Sequence, residues 1–558
     1  MKNSRKLVSV YRELGLKQIP RFISMVDRNP LSPTYGCANR EYWLARSTDF
    51  PSSIAQYGIL GLALAYSNKF VNNPYFKHPK VGNWILACMN YLTQIQHHDG
   101  SFDEFYPNER GWAGPTGFLL HSMNHGYLAI KDIISPDDKS KIINTMLKAA
   151  KFLGENNEIG VLANHHAMAL LPLRETINIF NANHLEPLFK VRKNEFLKYC
   201  NPEGWCLEYD GVDPGYLSAT VSFLGRLKQV KPDSELDEVA HKAIDFSKYF
   251  VYPNNHYGGT VGSRETFHFY SHGYEIYGRE KPLALTQANH MIQGFKQGSS
   301  VYPSLQADRY FVYRIPEFLF SARDFSKRPA KLPPLPWQED EDNIFYFKES
   351  GIWGGKQGNL YLVSNLSKGG NFKLFKINDK KTSGTIITSD CGISGITENN
   401  QIFTSSWIEK DKNISTHGIE ASLTTRCLTL NSQTFNPAKM SVFRAGMAAM
   451  GWHHKAANQI KGAIRKVLML RNNTLPITLN RIIKFHKDRV EVIDKINCSK
   501  NLKVKKLLLG EELPVRYVPQ SRYFQPDELQ VKGRELTKTE LKILKNTGKL
   551  TIKRTFTA

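Results

Sequence analysis

The feature that most constrains this chain is a change of hydrophobic period about three-fifths of the way along it. Up to about residue 320, apolar residues recur at helical spacing in blocks of roughly 15–20 residues, broken by loops rich in Gly, Pro, Asn and Asp. From residue 344 they alternate instead, in short runs rich in β-branched and aromatic side chains. A 3.6-residue period lays a stripe along a helix and a two-residue period lays a face on a strand, so the two halves cannot share one regular architecture. Length agrees: single hydrophobic cores stop growing near ~250–300 residues, and this chain has 558 residues, 41% of them hydrophobic.

Helices are predicted over 53–68, 84–97, 116–133, 139–153, 161–180, 188–200, 216–230 and 236–250. The stretches 59–64 and 167–173 are apolar around most of the helix circumference, which suits an inner ring enclosed by a second ring of helices. Strands are predicted over 344–347, 360–363, 372–377, 385–388, 402–407, 467–470 and 477–497, the last a hairpin turning near Lys487 and Asp488. The expected class is multidomain α and β: an N-terminal (α/α) toroid, an incomplete helical barrel, followed by a large antiparallel β-sandwich. The expected boundaries are an N-terminal helical extension over 1–49, the toroid over 50–324, a linker over 325–343 and the sandwich over 344–558. The linker, with its prolines and acidic run, reads as exposed.

A formal charge of +23 favours a polyanionic partner. From Lys461 onward there are 23 Lys and Arg against 9 Asp and Glu, so 14 of the 23 net charges fall in the C-terminal part. There is no Gly-rich phosphate loop, zinc-finger spacing or recognition-helix pattern, so an acidic glycan is favoured over nucleic acid. Seven cysteines without CxxC spacing read as reduced thiols. No apolar run is long enough for a membrane span, and the N-terminal segment lacks the pattern of a secretory signal, which makes the cytoplasm the expected location. Leu7, Val10, Tyr11 and Leu14 can line one face of a basic helix, expected to pack on the next helices, with peripheral membrane contact as the alternative. Oligomeric state is not legible.

Two loops echo one another. Residues 99–105 (DGSFDEF) and 203–209 (EGWCLEY) each follow a helix and place Glu104 and Glu208 at matching positions, expected on one rim of the ring.

Three polar stretches lie in the helical half. Asn164, His165 and His166 interrupt an apolar helix, so at least one of them is expected to face the toroid centre. Residues 208–218 (EYDGVDPGYLS) run through a tight turn into a helix, presenting Asp210, Asp213 and Tyr216 at one end, with Asp213 equally suited to capping that helix. Residues 254–277 hold His256, Arg264, Glu265, His268, Tyr270 and His272, too polar for a core and too aromatic for a linker.

In these residues the chain resembles the heparinase II/III-like and alginate-lyase polysaccharide lyases, which join a helical toroid to a C-terminal sandwich. The resemblance implies β-elimination of an acidic polysaccharide, with the family's Asn at Asn164, its adjacent His at His165 and its Tyr at Tyr216, and with His272 or Arg264 as a further catalytic group. The substrate-binding set expected around them is His166, Glu104, Glu208, Asp210, His268 and Tyr270. The chain departs from the family in having Ala163 where a second Asn commonly stands, and in a shorter path from Asp210 to the Tyr. The chemistry needs donors to neutralise a uronate carboxylate, a base at C5 and an acid at the leaving O4, and it calls for no cofactor. Some such lyases carry zinc in the sandwich, where Asp390 and His417 are two donors without a third. The alternatives are a toroid glycoside hydrolase using Glu104, Glu208, Asp210 and Asp213, and a non-catalytic binder of acidic glycans.

Overall fold

The computed structural model describes residues 2–158, 162–410, 413–430, 436–450, 473–499, 501–513 and 523–557. The strand expected over 467–470 lies outside them.

The helices of the first half are α1 (Lys2–Leu16), α2 (Ile19–Met25), α3 (Arg40–Trp43), α4 (Gly58–Ser67), α5 (Pro79–Ile95), α6 (Phe118–Ile130), α7 (Pro136–Glu155) and α8 (Ala163–Phe180). They continue with α9 (Glu186–Leu197), α10 (Pro214–Val230), α11 (Ser234–Ser247), α12 (His272–Tyr277), α13 (Pro282–Gln297), α14 (Asp308–Phe311) and α15 (Arg314–Arg323). Packing runs from α4 to α6, α8, α10, α12 and α15, and α15 returns to α4. Helices α5, α7, α9, α11, α13 and α1 pack outside this ring. The fold is a helical toroid, and its inner helix α4 is enclosed on all sides: from Gly58 to Tyr66 every residue is buried.

Local chemistry sets the helix ends. The Asp213 side chain caps α10 by accepting from the Tyr216 N–H, and Pro214 follows at the first helical position, where its missing N–H costs nothing. Asn181, left-handed at φ 51°, closes α8. Helix α1 is fastened by Tyr11, which is fully buried against Phe318 and Phe325. Its apolar face therefore lies on the ring. Helices α13 and α15 were not expected, because the polar aromatic stretch before them hides their period.

The two echoing loops are built alike. The N–H of His97 donates to Ser101 O (3.0 Å) and that of Gly100 to His97 O (2.9 Å); Asn201 to Trp205 O (2.7 Å) and Gly204 to Asn201 O (2.9 Å) repeat the pattern. Gly100 and Gly204 sit at φ 94° and 97°. A β-carbon on either would lie 2.3 or 2.4 Å from the carbonyl oxygen of Lys148 or Lys242. Only glycine fits both the backbone angle and the close approach.

The second half holds two antiparallel sheets. The first comprises β3 (Asn343–Phe347), β4 (Ile352–Gln357), β5 (Leu360–Asn365), β6 (Asn371–Ile377) and β7 (Gly384–Asp390), in that order, after the short hairpin β1 (Leu207–Glu208) and β2 (Gly211–Val212) of the toroid. The second comprises β8 (Ile393–Thr397), β9 (Ile402–Thr404), β10 (Asn413–His417), β11 (Glu420–Leu430), β12 (Thr474–Phe485), β13 (Arg489–Cys498), β14 (Val504–Leu509), β15 (Arg534–Glu535) and β16 (Lys549–Thr557). Its order is β15-β14-β8-β9-β11-β12-β13-β16, with β10 alongside β11. Helices α16 (Pro437–Met450) and α17 (Lys538–Thr547) interrupt the strands.

One face of the first sheet, with Trp353, Leu362 and Phe372, packs on Leu423, Ile483 and Val492 of the second. Its other face, with Tyr361, Val363 and Phe375, joins the core of the toroid. The first sheet is thus buried on both sides, and each large apolar side chain in it contributes about 1.5–3 kcal/mol. The connection over 325–343 is not exposed throughout, since Leu335 and Trp337 are fully buried and Arg328 pairs with Glu275 at 2.5 Å.

Candidate active site

The N-terminal ends of α8 and α10 lie at one mouth of the toroid, with the echo loops beside them. Glu208, in the hairpin that precedes α10, grips the start of α8. It accepts from the Asn164 backbone N–H at 2.6 Å and from the Asn164 side-chain amide at 2.8 Å. Burial drives the Glu208 carboxyl well above the usual carboxylate range, against the pull of those donors.

Beside Asn164, His165 is about a quarter exposed and pairs through Nδ1 with the Glu158 carboxylate at 2.7 Å. A carboxylate there fixes the ring and leaves Nε2 as the outward nitrogen. Facing it is Glu104, held by Arg309 at 3.2 Å. A β-carbon on Gly114 would lie 3.6 Å from Glu104 Oε2 and 3.7 Å from His165 Cε1. The absent side chain at Gly114 therefore keeps open the space between an acid and an imidazole. Burial, and after it the Glu109 carboxylate, push Glu104 up to about 7 against the attraction of Arg309.

Arg264 pairs with Asp210 at 2.9 Å and lies over the Tyr209 ring at 4.1 Å. Asp213 Oδ2 receives its backbone N–H at 3.0 Å, which ties the 254–277 stretch to the start of α10. Tyr216 occupies the first turn of α10, half-buried. His268 is buried, its Nε2 3.1 Å from Gln306 Nε2 and its ring 5.7 Å from that of Tyr523. Burial and Arg314 hold His268 well below the ordinary imidazole range. The Arg314 guanidinium lies 4.6 Å from the centre of the Tyr270 ring.

The structure thus brings Glu104, Asn164, His165, Glu208, Asp210 and Arg264 to one mouth, with Tyr216, His268 and Tyr270 on the elements packed beside them. It does not bring His272 there. That ring receives the Arg226 Nε–H at 3.1 Å and pairs with Asp324 at 2.7 Å, fully buried and stacked on Phe320. Arg226 stands ten residues beyond Tyr216 on α10, about 15 Å along the helix axis. His166 also points elsewhere, wedged between Trp112 and Tyr199 with ring centres 5.0 and 4.7 Å away, and burial pushes it down to about 4. Asp390 has no coordination to spare for zinc: Arg481 and Arg554 bind it at 2.7 and 2.5 Å, and His417 lies exposed on β10. Glu158, Arg309, Arg314 and Tyr523 carried no sequence signal, for each reaches its partner from a distant or irregular segment. Among the described residues, no helix is long and apolar enough to cross a membrane.

No protein-family model matches this chain, and no curated protein matches it by sequence. Solved structures do. The chondroitin AC lyase of Streptomyces coelicolor A3, in complex with chondroitin sulphate, is similar with a TM-score of 0.53 at 11% identity, over 90% of this chain and 68% of the lyase. A mutant of that lyase gives a TM-score of 0.51 at 11% identity, over 90% of this chain and 68% of the other. A heparan sulfate lyase mutant from Pedobacter heparinus covers 91% of this chain and 70% of its own at 12% identity, with a TM-score of 0.44. A helical toroid closed by a large antiparallel sandwich, matched over nine-tenths of its length, gives this chain the polysaccharide lyase fold.

Proposed function

We propose that the chain is a polysaccharide lyase that cleaves a uronic-acid-containing glycan by β-elimination at the toroid mouth. The observation that carries this reading is the gap at Gly114, with the Glu158-oriented His165 on one side and the Glu104–Arg309 pair on the other.

Each group suits one task. Arg309, and Glu104 while protonated, neutralise the sugar carboxylate and so acidify the neighbouring C5 proton. Asn164 keeps one amide N–H for that carboxylate while Glu208 holds the other. His165 takes the C5 proton at Nε2, and Glu158 stabilises the imidazolium that results. The electron pair of the C–H bond becomes the C4–C5 double bond, the bond from C4 to O4 breaks, and Tyr216 gives its phenolic proton to O4. Arg264 and Asp210 line the approach, and the field of a chain carrying +23 charges favours capture of a polyanion.

The raised Glu104 would also suit the acid of a glycoside hydrolase. The rival carboxylates are committed elsewhere: Glu208 to Asn164, Asp210 to Arg264 and Asp213 to the cap of α10. Incubating the purified protein with chondroitin, heparan, hyaluronan and alginate polymers tests the proposal. Growth of ultraviolet absorbance from an unsaturated uronate is expected on at least one. Chain shortening without that chromophore, or no cleavage of any, overturns the lyase reading.

A further inference from the structure

At the end of the toroid away from the mouth, His121 and His125 stand four residues apart on one face of α6, opposite Glu175 of α8. His121 Nδ1 lies 2.8 Å from Glu175 Oε2, and His125 Nε2 lies 3.1 Å from Glu175 Oε1. One atom from each of the three residues falls within 4.8 Å of the others, and among the described residues this is the only His, Cys, Asp or Glu group with such spacing.

Nothing in the proposed reaction uses these residues. Glu175 is some eleven residues along α8 from Asn164, about 16 Å by helical rise. The cluster is also more elaborate than a buried carboxylate needs. Asn124 donates to Glu175 Oε2 at 3.1 Å and to the Pro172 carbonyl at 3.1 Å, fixing the carboxylate from behind as outer-shell groups fix metal-binding acids. His121 is fully buried, and its Nε2 finds no hydrogen-bond partner. Two cations stand near the cluster and each has a carboxylate partner: Arg226 pairs with Glu317, and Arg323, which lines the same cavity as His125, pairs with Asp324 at 2.7 Å. His125, 23% exposed, lines a surface cavity of about 200 Å³ that leaves an ion a way in and room for a water ligand.

We propose that His121, His125 and Glu175 form a binding site for a divalent transition-metal ion of the zinc type. Two imidazole nitrogens and a carboxylate oxygen make a donor set suited to such ions, with ligand bonds near ~2.0–2.2 Å. The ion takes the place of the hydrogen bonds that His121 Nδ1 and His125 Nε2 make to Glu175, each imidazole staying neutral with its one proton on the ring nitrogen turned away from the ion. Its effect is to tie α6 to α8 at the end of the ring remote from the mouth.

The test uses the full-length chain freed of metal by a chelator and then titrated with Zn²⁺ by calorimetry, with Co²⁺ as a spectroscopic probe. Loss of an outer-shell partner alone costs about 10–100-fold in metal affinity. The partly exposed His125 changed to Ala is therefore expected to weaken binding more than tenfold, while exposed His184 changed to Ala leaves it unaltered. Saturating Zn²⁺ is expected to raise the Tm of the unmutated chain and not that of His125→Ala. The absorption of bound Co²⁺ is expected to show a four-coordinate nitrogen and oxygen site. Absence of stoichiometric binding to the unmutated chain overturns the proposal, as does binding that His125→Ala leaves intact. Both outcomes read metal alone, so failure of the lyase assay does not decide them.

Discussion

Glu208 grips Asn164 twice, through the backbone N–H at 2.6 Å and the side-chain amide at 2.8 Å. A residue held at both points presents its remaining amide hydrogen in one direction. Removing a single donor of this kind costs about 10²–10³ in kcat, so Asn164→Ala is expected to lose that much and, by taking the side-chain donor from buried Glu208, about 1–3 kcal/mol of stability as well. Glu208→Gln, which keeps the volume but turns one acceptor into a donor, is expected to lower kcat more than it raises KM. Steady-state ultraviolet assays check both, and an Asn164→Ala enzyme with unaltered kcat removes Asn164 from the mechanism.

Glu104 gives the mouth a pH signature. Its carboxyl rises from the ordinary 4.5 to about 7 through burial and Glu109, so the folded chain holds a proton that the unfolded chain releases. Stability from this group is complete below about pH 4.5 and is lost as pH rises to about 7, with a slope of at most about 1.4 kcal/mol per pH unit. Denaturant unfolding between those limits is expected to show the loss, and Glu104→Gln to flatten it. Equal slopes in the two proteins would assign the proton to another residue.

Gly100 and Gly204 make a matched pair for mutation. An alanine at either meets both a left-handed backbone and a helix carbonyl within 2.4 Å, and is expected to destabilise by about 1–3 kcal/mol or more. Gly114→Ala should behave oppositely, since its β-carbon finds 3.6 Å of room but occupies the gap facing His165. Its urea midpoint is expected to stay close to that of the unmutated chain while turnover falls.

Cys200 and Cys206 face each other with sulfurs 3.6 Å apart. The flanking bonds, Asn201 N–H to Trp205 O and Leu207 N–H to Tyr199 O, make them a non-hydrogen-bonded antiparallel pair. Such pairs hold their α-carbons about 4.5 Å apart, inside the range a disulfide spans. Excess oxidised glutathione is expected to link them, each disulfide formed releasing two reduced glutathione molecules. Peptide mapping should find the linked pair, and Cys206→Ser should abolish it. Preferential modification at other cysteines would show that this loop does not close.

In the sandwich, Arg481 binds Asp494 and Asp390 at 2.7 Å, and Arg554 binds Asp390 at 2.5 Å and Asp494 at 2.7 Å. Burial alone would raise Asp390, but the two guanidinium groups outweigh it and hold the carboxylate low. Taking one partner from a buried set typically costs about 3–5 kcal/mol. Asp390→Ala is expected to fall in that range by chemical denaturation. A loss below about 1 kcal/mol would mean that solvent reaches the cluster.

The two architectures were legible because side-chain period reports directly on which face is buried, as the all-apolar run of α4 and the alternation of β12 and β13 show. The rim was half legible: Asn164 and Glu208 stood out as polar groups beside apolar helices. Their partners did not, because Glu158 lies in a loop before α8 and Arg309 lies 205 residues from Glu104. His272 and His268 looked like one group, four residues apart, yet the chain turns between them and sends them to opposite neighbours, Asp324 and Gln306. His121 and His125 are not legible as a pair, because they lie in a helix whose apolar residues report only packing.

Lys368, from the turn after β5, is buried in the rim loop, with Nζ donating to the Thr260 and Gly262 carbonyls at 3.0 and 2.8 Å and 3.4 Å from the Glu265 carboxylate. During synthesis the loop leaves the ribosome first, and the lysine that completes it follows about a hundred residues later. At roughly 5–20 residues per second that interval is on the order of ten seconds. Throughout it Glu265 has yet to meet its ammonium partner, so the nascent ring must wait for its second half before the mouth takes its final shape.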